Sequence, residues 1–317
     1  MPRQTNKKAN AILSADIHLR DRVPECRQPE EFWAARDRKM SFLRGLQAEH
    51  GCPILDAGDV FDRWQVSSEL EGWALLNLPA GIITVPGNHD LPQHNLSLYR
   101  KSSLHVLEAA GRVRVLRETE SPRQSYIQSF ADNLLYAFGF PYGEPFQDAP
   151  KLNHSRKQIA VVHTYCAETV PPFIEGYTPA QLLTALPGYD LIVSGHNHAA
   201  FSREVVDRRG DKRLVVNPGG MMRTTADQAD ARPRVYLWYA DTNTVEAVFY
   251  PIETGVVSRT HLERVEERDA RMTAFVSRLG SDMDISLSFE DNVEKFLAAN
   301  KIRPAVGKLV REAMNGD

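Results

Sequence analysis

The strongest constraint on this chain is a pattern that occurs five times: a short apolar run stops, and metal-capable side chains follow at once. Ala11 to Ser14 leads into Asp16 and His18, Pro53 to Ala57 into Gly58 and Asp59, and Gly81 to Val85 into Asn88, His89 and Asp90. Ile159 to Val162 ends at His163, and Leu191 to Val193 leads into Gly195, His196 and His198. Apolar runs this short, punctuated by Gly and Pro, read as buried strands. Strands that deliver side chains at their carboxyl ends to one sheet edge account for all five clusters at once. Oxygen and nitrogen donors without thiolates suit a hard or borderline divalent cation.

Each cluster is weak alone. An Asp-x-His such as Asp16 and His18 is commonly a surface turn, although residues two apart on an extended chain point the same way and reach one ion. Between the clusters the pattern turns helical. Over Pro29 to His50 the residues Phe32, Met40, Phe42, Leu43 and Leu46 recur near helical spacing, with Gly51 where a C-cap belongs. Ser67 or Ser68 caps a helix whose apolar face uses Leu70, Trp73, Ala74 and Leu76, and Thr178 with Pro179 starts another. Glu204 to Val206, Lys212 to Val216, Arg234 to Tyr239 and Thr244 to Tyr250 alternate and read as antiparallel strands. The expected fold is α/β, with two sheets face to face and helices outside. His94, close to the third cluster in sequence, reads as exposed or helix-capping, with a substrate contact as the alternative, and His105 as structural.

With 317 residues, 42% of them hydrophobic, the chain can bury a large core. A formal charge of -3 excludes a strongly basic protein. It leaves a nucleic-acid partner open, because bound cations add local positive charge. Cys26, Cys52 and Cys166 are odd in number and scattered, which argues for a reduced, cytoplasmic setting over a disulfide framework. The apolar run near the N-terminus is too short for a signal-peptide core or a membrane span. Beyond Pro251 the composition shifts. Thr260 to Leu279 is charged and helical in pattern, and two amphipathic helices follow, marked by Phe289, Val293, Phe296 and Leu297 and by Val306, Leu309, Val310 and Met314. The expected domains are residues 1–250 and a helical extension over 251–317, whose apolar stripes cover this protein's own core, a second copy or a partner.

Taken in order, D-x-H, G-D-x-x-D, G-N-H-D, H and G-H-x-H resemble the blocks of the calcineurin-like metallophosphoesterase superfamily, over about residues 11 to 225. The resemblance implies a four-layer α/β/β/α sandwich with a small C-terminal helical extension. It implies two divalent metal ions bridged by Asp59, with Asp16, His18 and His198 completing one and Asn88, His163 and His196 the other. Manganese is the expected metal, with magnesium, iron(II) or zinc as alternatives. Two cations roughly 3.5–4 Å apart need a shared carboxylate against their repulsion, and together they generate a hydroxide and clamp phosphoryl oxygens. Phosphoester hydrolysis is then expected by in-line attack without a covalent enzyme intermediate. His89 matches the family's non-ligand histidine that stabilises or protonates the leaving oxygen. Asp90 is expected to orient His89, and Asp62 to stand behind the ligands or face substrate. Arg63 is expected to contact phosphate or make a buried ion pair.

Within the superfamily, ADIHL, GDVFDR and GNHD resemble the DNA-repair exonuclease subunit of the bacterial SbcCD complex. Protein phosphatases of the superfamily carry G-D-x-x-D-R-G and G-N-H-E, whereas here Trp64 follows Arg63 and Asp90 replaces the glutamate. SbcD-like resemblance implies DNA as substrate, an SMC-type ATPase gripping the C-terminal helices, a possible homodimer and no membrane. The chain departs from that pattern after Pro251, where a cap domain is reduced or absent. A small-molecule phosphodiesterase or phosphatase with the same centre is the alternative enzyme, and a non-catalytic scaffold the alternative of another class.

Overall fold

The computed structural model describes residues 7–117, 126–130, 133–150, 157–206, 211–258, 269–274, 289–300 and 302–315. Two compact units divide the chain, Met1–Ser258 and Arg259–Asp317. Residues 251–258 thus go with the first unit, and the Ser258 N–H donates to the Cys26 carbonyl at 2.8 Å.

The first unit holds two six-stranded sheets. One contains β1 (Ala11–Ser14), β2 (Ile54–Asp56), β3 (Ile82–Thr84), β4 (Val113–Val115), β11 (Arg234–Tyr239) and β12 (Thr244–Phe249), in the order β12-β11-β1-β2-β3-β4. β1 to β4 are parallel, while β11 is antiparallel to β1 and β12 to β11. The other contains β5 (Tyr126–Phe130), β6 (Asn133–Phe140), β7 (Lys157–Val162), β8 (Leu191–Ser194), β9 (Phe201–Val206) and β10 (Lys212–Asn217), in the order β5-β6-β7-β8-β10-β9. Here the central four strands are parallel and the two edges antiparallel.

The second half of the chain is therefore not one antiparallel set. β10 runs parallel to β8, and β11 and β12 return to the first sheet. Alternation records which face a residue takes and says nothing of the neighbour's direction, so sequence could not separate these cases.

Period-2 alternation explains the layers. Leu13, Leu55 and Ile83 meet Val161, Val193 and Val216 between the sheets. Their neighbours Ile12, Ile54 and Ile82 face α1 (Pro29–His50), α2 (Ser68–Asn77) and α3 (Ser103–Ala109) through Phe32, Met40, Leu43, Leu70 and Leu104. Ala160, Val162, Ile192 and Val215 face α4 (Pro179–Ala185) through Leu182, Leu183 and the C-cap residue Leu186. Helix, sheet, sheet, helix is the four-layer sandwich. Strands buried on both faces need the continuous apolar runs seen in the sequence.

Helix ends follow local chemistry. α1 starts with Pro29 and acidic Glu30 and Glu31, and stops at Gly51, whose φ of 64° suits the left-handed cap. Ser67 caps α2 by accepting the Leu70 N–H, and Thr178 caps α4 in a reciprocal box with Gln181.

In the second unit, helices Phe289–Ala299 and Pro304–Asn315 are tied by Arg311 donating to Glu294 at 2.7 Å. The charged stretch expected to be helical over Thr260 to Leu279 lies outside the described residues except for 269–274, which are helical. Among the described residues no helix is long and apolar enough to cross a membrane.

Candidate metal centre

The loops after β1, β2, β3, β7 and β8 converge at one edge of the two sheets, and they carry Asp16, His18, Asp59, Asn88, His163, His196 and His198 to one place. Asp16, His18 and His198 form one group of donor atoms within 4.8 Å of one another, and Asp59, His163 and His196 form a second. Asn88 Oδ1 joins the second group, 3.0 Å from His163 Nε2 and 2.8 Å from His196 Nδ1. Asp59 Oδ2 stands between the groups, 3.6 Å from His18 Nε2 and 3.3 Å from His163 Nε2.

Asp16 and His18 share a site, but not by extended geometry. Their φ angles are 50° and 47°, with 56° at Asp59 and 74° at His196. Asp and His tolerate the left-handed region better than most residues. Such backbone costs about 1–3 kcal/mol per residue and clusters at functional sites. Hydrogen bonds hold it: Asp16 N–H donates to the Gly58 carbonyl and His18 N–H to the Asp59 carbonyl, both at 3.0 Å. Gly87 permits the approach of the third loop, because a Cβ there would lie 2.1 Å from Asp59 Oδ1.

The donor set fits divalent cations. Asp16 is fully buried, its Oδ1 accepts the His196 N–H, and its Oδ2 has no hydrogen-bond partner. A buried carboxylate oxygen without a donor is costly unless a cation meets it. His163 Nδ1 lies 2.6 Å from the Ala57 carbonyl, which fixes the ring with Nε2 toward Asp59.

Electrostatics couple the two groups. Burial alone disfavours the Asp59 carboxylate, but His163, His18 and His89 outweigh it and hold Asp59 well below the usual carboxylate range. Burial likewise disfavours charge on His163, and Asp59 and Asp16 reverse this, raising it to about 9. Asp16 is pushed up to about 7 by burial, partly offset by His163. Burial first and neighbouring imidazoles second lower His196 and His198 to about 4, the neutral form in which an imidazole binds a cation, whereas His163, raised by Asp59, would have to give up its proton to do so.

His89 is exposed, its ring edge-on to His18 at 4.8 Å. The expectation that Asp90 orients it does not hold. The Asp90 carboxylate is buried and accepts the N–H groups of Val60, Phe61 and Gly87, so its lone pairs fasten two loops together. His89 Nδ1 instead lies 2.7 Å from the backbone carbonyl of Asp62. The Asp62 side chain pairs with Arg20 and stands 3.7 Å from His18 Nδ1. Burial resists its charge, yet His18 and Arg20 pull it down to about 2. Arg63 is exposed and so makes no buried ion pair. His94 is also exposed, with Nδ1 2.9 Å from the Asn88 carbonyl.

Sequence reasoning passed over several residues. Arg20 lies two past His18, close enough in sequence to have been a candidate. Asp56 is buried and accepts from Ser14 Oγ, Thr84 Oγ1 and Gly58 N, fastening the ends of three strands. Tyr142 and Tyr165 approach the His196 ring, and the rule of looking just past a strand end would have found both.

The calcineurin-like phosphoesterase family matches residues 12–200. The chain belongs to that family, whose members hydrolyse phosphoesters at a dinuclear divalent-metal centre. No curated protein matches the sequence. Among solved structures, the calcineurin-like phosphoesterase YfkN of Bacillus subtilis is 14% identical over 66% of this chain and 80% of its own, with a TM-score of 0.42. The sulfate thiohydrolase SoxB of Thermus thermophilus is 13% identical with a TM-score of 0.44, over 77% of this chain, which spans only 57% of that protein. A metallophosphoesterase from Sphaerobacter thermophilus is 16% identical over 76% of this chain and 89% of its own, with a TM-score of 0.34.

Proposed function

We propose that this protein is a nuclease that hydrolyses phosphodiester bonds of DNA at a two-metal centre. The supporting observation is that the centre has room on both sides. A cavity of about 250 Å³ shares His163 and His196 with it and is walled by Tyr142 and Tyr165. Another of about 170 Å³ begins at His198 and includes Arg232 and Arg234. A phosphodiester carries a substituent on each side of its phosphorus, whereas a monoester needs only one. The arginines suit a neighbouring phosphate of a polynucleotide.

In this reading Asp16, His18 and His198 would hold one cation and Asn88, His163 and His196 the other, with Asp59 available to both. Divalent cations bound there would supply Lewis-acid charge and a nucleophilic water. Asn88 contributes an oxygen without charge, so two carboxylates face two divalent ions and the site stays positive toward phosphate. His89, held by the Asp62 carbonyl at Nδ1, keeps Nε2 to protonate the leaving oxygen. The C-terminal helices, with Phe289 and Leu309 exposed, are the proposed seat of an SMC-type ATPase or a second copy. Recovery of the protein alone after coexpression with such an ATPase would count against that partner.

Manganese-loaded protein and end-labelled linear DNA test the main claim. Cleavage is expected, at a rate that collapses on chelation. Intact DNA beside good hydrolysis of bis(p-nitrophenyl) phosphate would transfer the assignment to a small-molecule phosphodiesterase.

A further inference from the structure

We propose that the cavity beside His163 and His196 is a recognition site for the nucleobase attached to the phosphate being processed. The proposal rests on the phosphodiester reading of the centre and names the part of the substrate that this cavity takes.

Its walls are aromatic and converge on an imidazole of the centre. The Tyr142 ring lies 5.7 Å from the His196 ring at 39°, and the Tyr165 ring 6.1 Å from it at 85°. Tyr177 and Phe146, 5.5 Å apart, extend the lining. Four rings on two connections, Tyr142 and Phe146 after β6 and Tyr165 and Tyr177 between β7 and α4, thus line a space that also meets His163 and His196.

The wall is held in place by backbone. Tyr177 N–H donates to the Tyr165 carbonyl at 2.9 Å and Ala167 N–H to the Tyr177 carbonyl at 3.1 Å, closing a bridge between Cys166 and Tyr177. Gly176 packs directly on Tyr165: a Cβ there would lie 2.7 Å from the Tyr165 carbonyl oxygen and 2.8 Å from its Cδ1. Rigid aromatic faces bind a planar ring with little loss of side-chain freedom, and base stacking tolerates any base.

Charge decides which part of a nucleotide enters. Glu144 and Glu175 line the cavity and, among the described residues, no Lys or Arg does, so a second phosphate is disfavoured. Carboxylates accept hydrogen bonds only, which favours a base with an exocyclic amino group. The phosphate side is the opposite cavity, with Arg232 and Arg234.

Equilibrium dialysis of manganese-loaded protein with adenosine 5′-monophosphate and with ribose 5-phosphate separates base from phosphate recognition without turnover. Adenosine monophosphate is expected to bind at least about 10-fold more tightly, within the range that stacking one base provides. The ratio should fall to within about 2-fold in Tyr165→Leu and in Gly176→Ala, and persist in Tyr165→Phe. If Tyr165→Leu does not fold, the wild-type ratio and Gly176→Ala still decide. Equal affinities in the wild type, or an unchanged ratio in folded Tyr165→Leu, overturn the base site while the phosphoester centre stands. Failure of both ligands to bind overturns the phosphodiester reading and the base site with it.

Discussion

The first sheet brings Asp16, His18, Asp59 and Asn88 to the centre on the loops after β1, β2 and β3. The second sheet brings only imidazoles, His163, His196 and His198, on the loops after β7 and β8. The first side carries all the oxygen donors and three of the four left-handed donor residues. The second side is closer to regular strand ends and is steered from the first: His163 Nδ1 meets the Ala57 carbonyl, and His196 N–H donates to Asp16. Neither half makes a centre alone. Without the second side the buried carboxylates would face only His18, and the second side's imidazoles without the carboxylates would have nothing to balance a cation's charge. The opposed shifts of Asp59, downward, and His163, upward, record that dependence.

Asp59 stands between the two donor groups, so its removal is expected to break both halves together. Asp59→Ala is expected to take bound metal from two ions per chain to none and to lower phosphodiesterase activity by about 10³-fold or more, beyond the 10–100-fold of losing an outer hydrogen bond. Metal content by elemental analysis beside turnover checks it; two retained ions would remove Asp59 as the bridge. His89→Ala sharpens the comparison on the first side. Both ions should stay while kcat falls about 10²–10⁴-fold, the usual worth of a positioned proton donor. Loss of an ion would instead make His89 a ligand with His18 and Asp62, which lie near enough to form a third donor group.

The support beneath the first half is charged as well. Lys39 is buried and donates to the Met221 carbonyl at 2.6 Å, while Met221 N–H donates to the Asp16 backbone carbonyl at 3.1 Å. Burial, with Arg27 and Arg223 adding repulsion, pushes Lys39 from 10.5 down to about 7. Between those values the unfolded chain binds more protons than the folded one, so this group makes stability rise with pH and the gain is lost as pH falls through 7. Relative to Lys39→Met, the wild type should gain about 1–3 kcal/mol from pH 7 to 10 in urea unfolding. A flat difference would show that Lys39 stays charged when folded. The smallest effect is expected on the second side, where Thr178→Ala removes the cap of α4 at a cost of about 1 kcal/mol. A matching drop in unfolding midpoint, with metal content unchanged, would confirm that α4 supports the sheet without reaching the centre.

Much of this was legible from local chemistry. The runs ending at Asp16, Asp59, Asn88, His163 and His196 are strands whose loops meet, because apolar runs of that length must be buried and their polar ends must leave the core. Pro29, Ser67, Thr178 and Gly51 mark helix ends by rules that act within a few residues. Asp90 adjoins His89 in sequence, which suggests a partnership, yet its side chain turns to the N–H groups of Val60, Phe61 and Gly87. β4 and β5 are short edge strands with polar residues and carry little pattern in the sequence.

By itself the sequence determined which residue types stand at each strand end, which faces are buried and where helices begin, since these depend on spacing and on groups close along the chain. Only the tertiary structure decided that β11 and β12 return to the first sheet, that Asp59 stands between two donor groups, and that Tyr142, Tyr165 and Tyr177 wall one cavity. Those outcomes depend on pairing between segments far apart in the chain. Strand direction and the meeting of loops are fixed by packing two sheets into one core, and no local spacing records them.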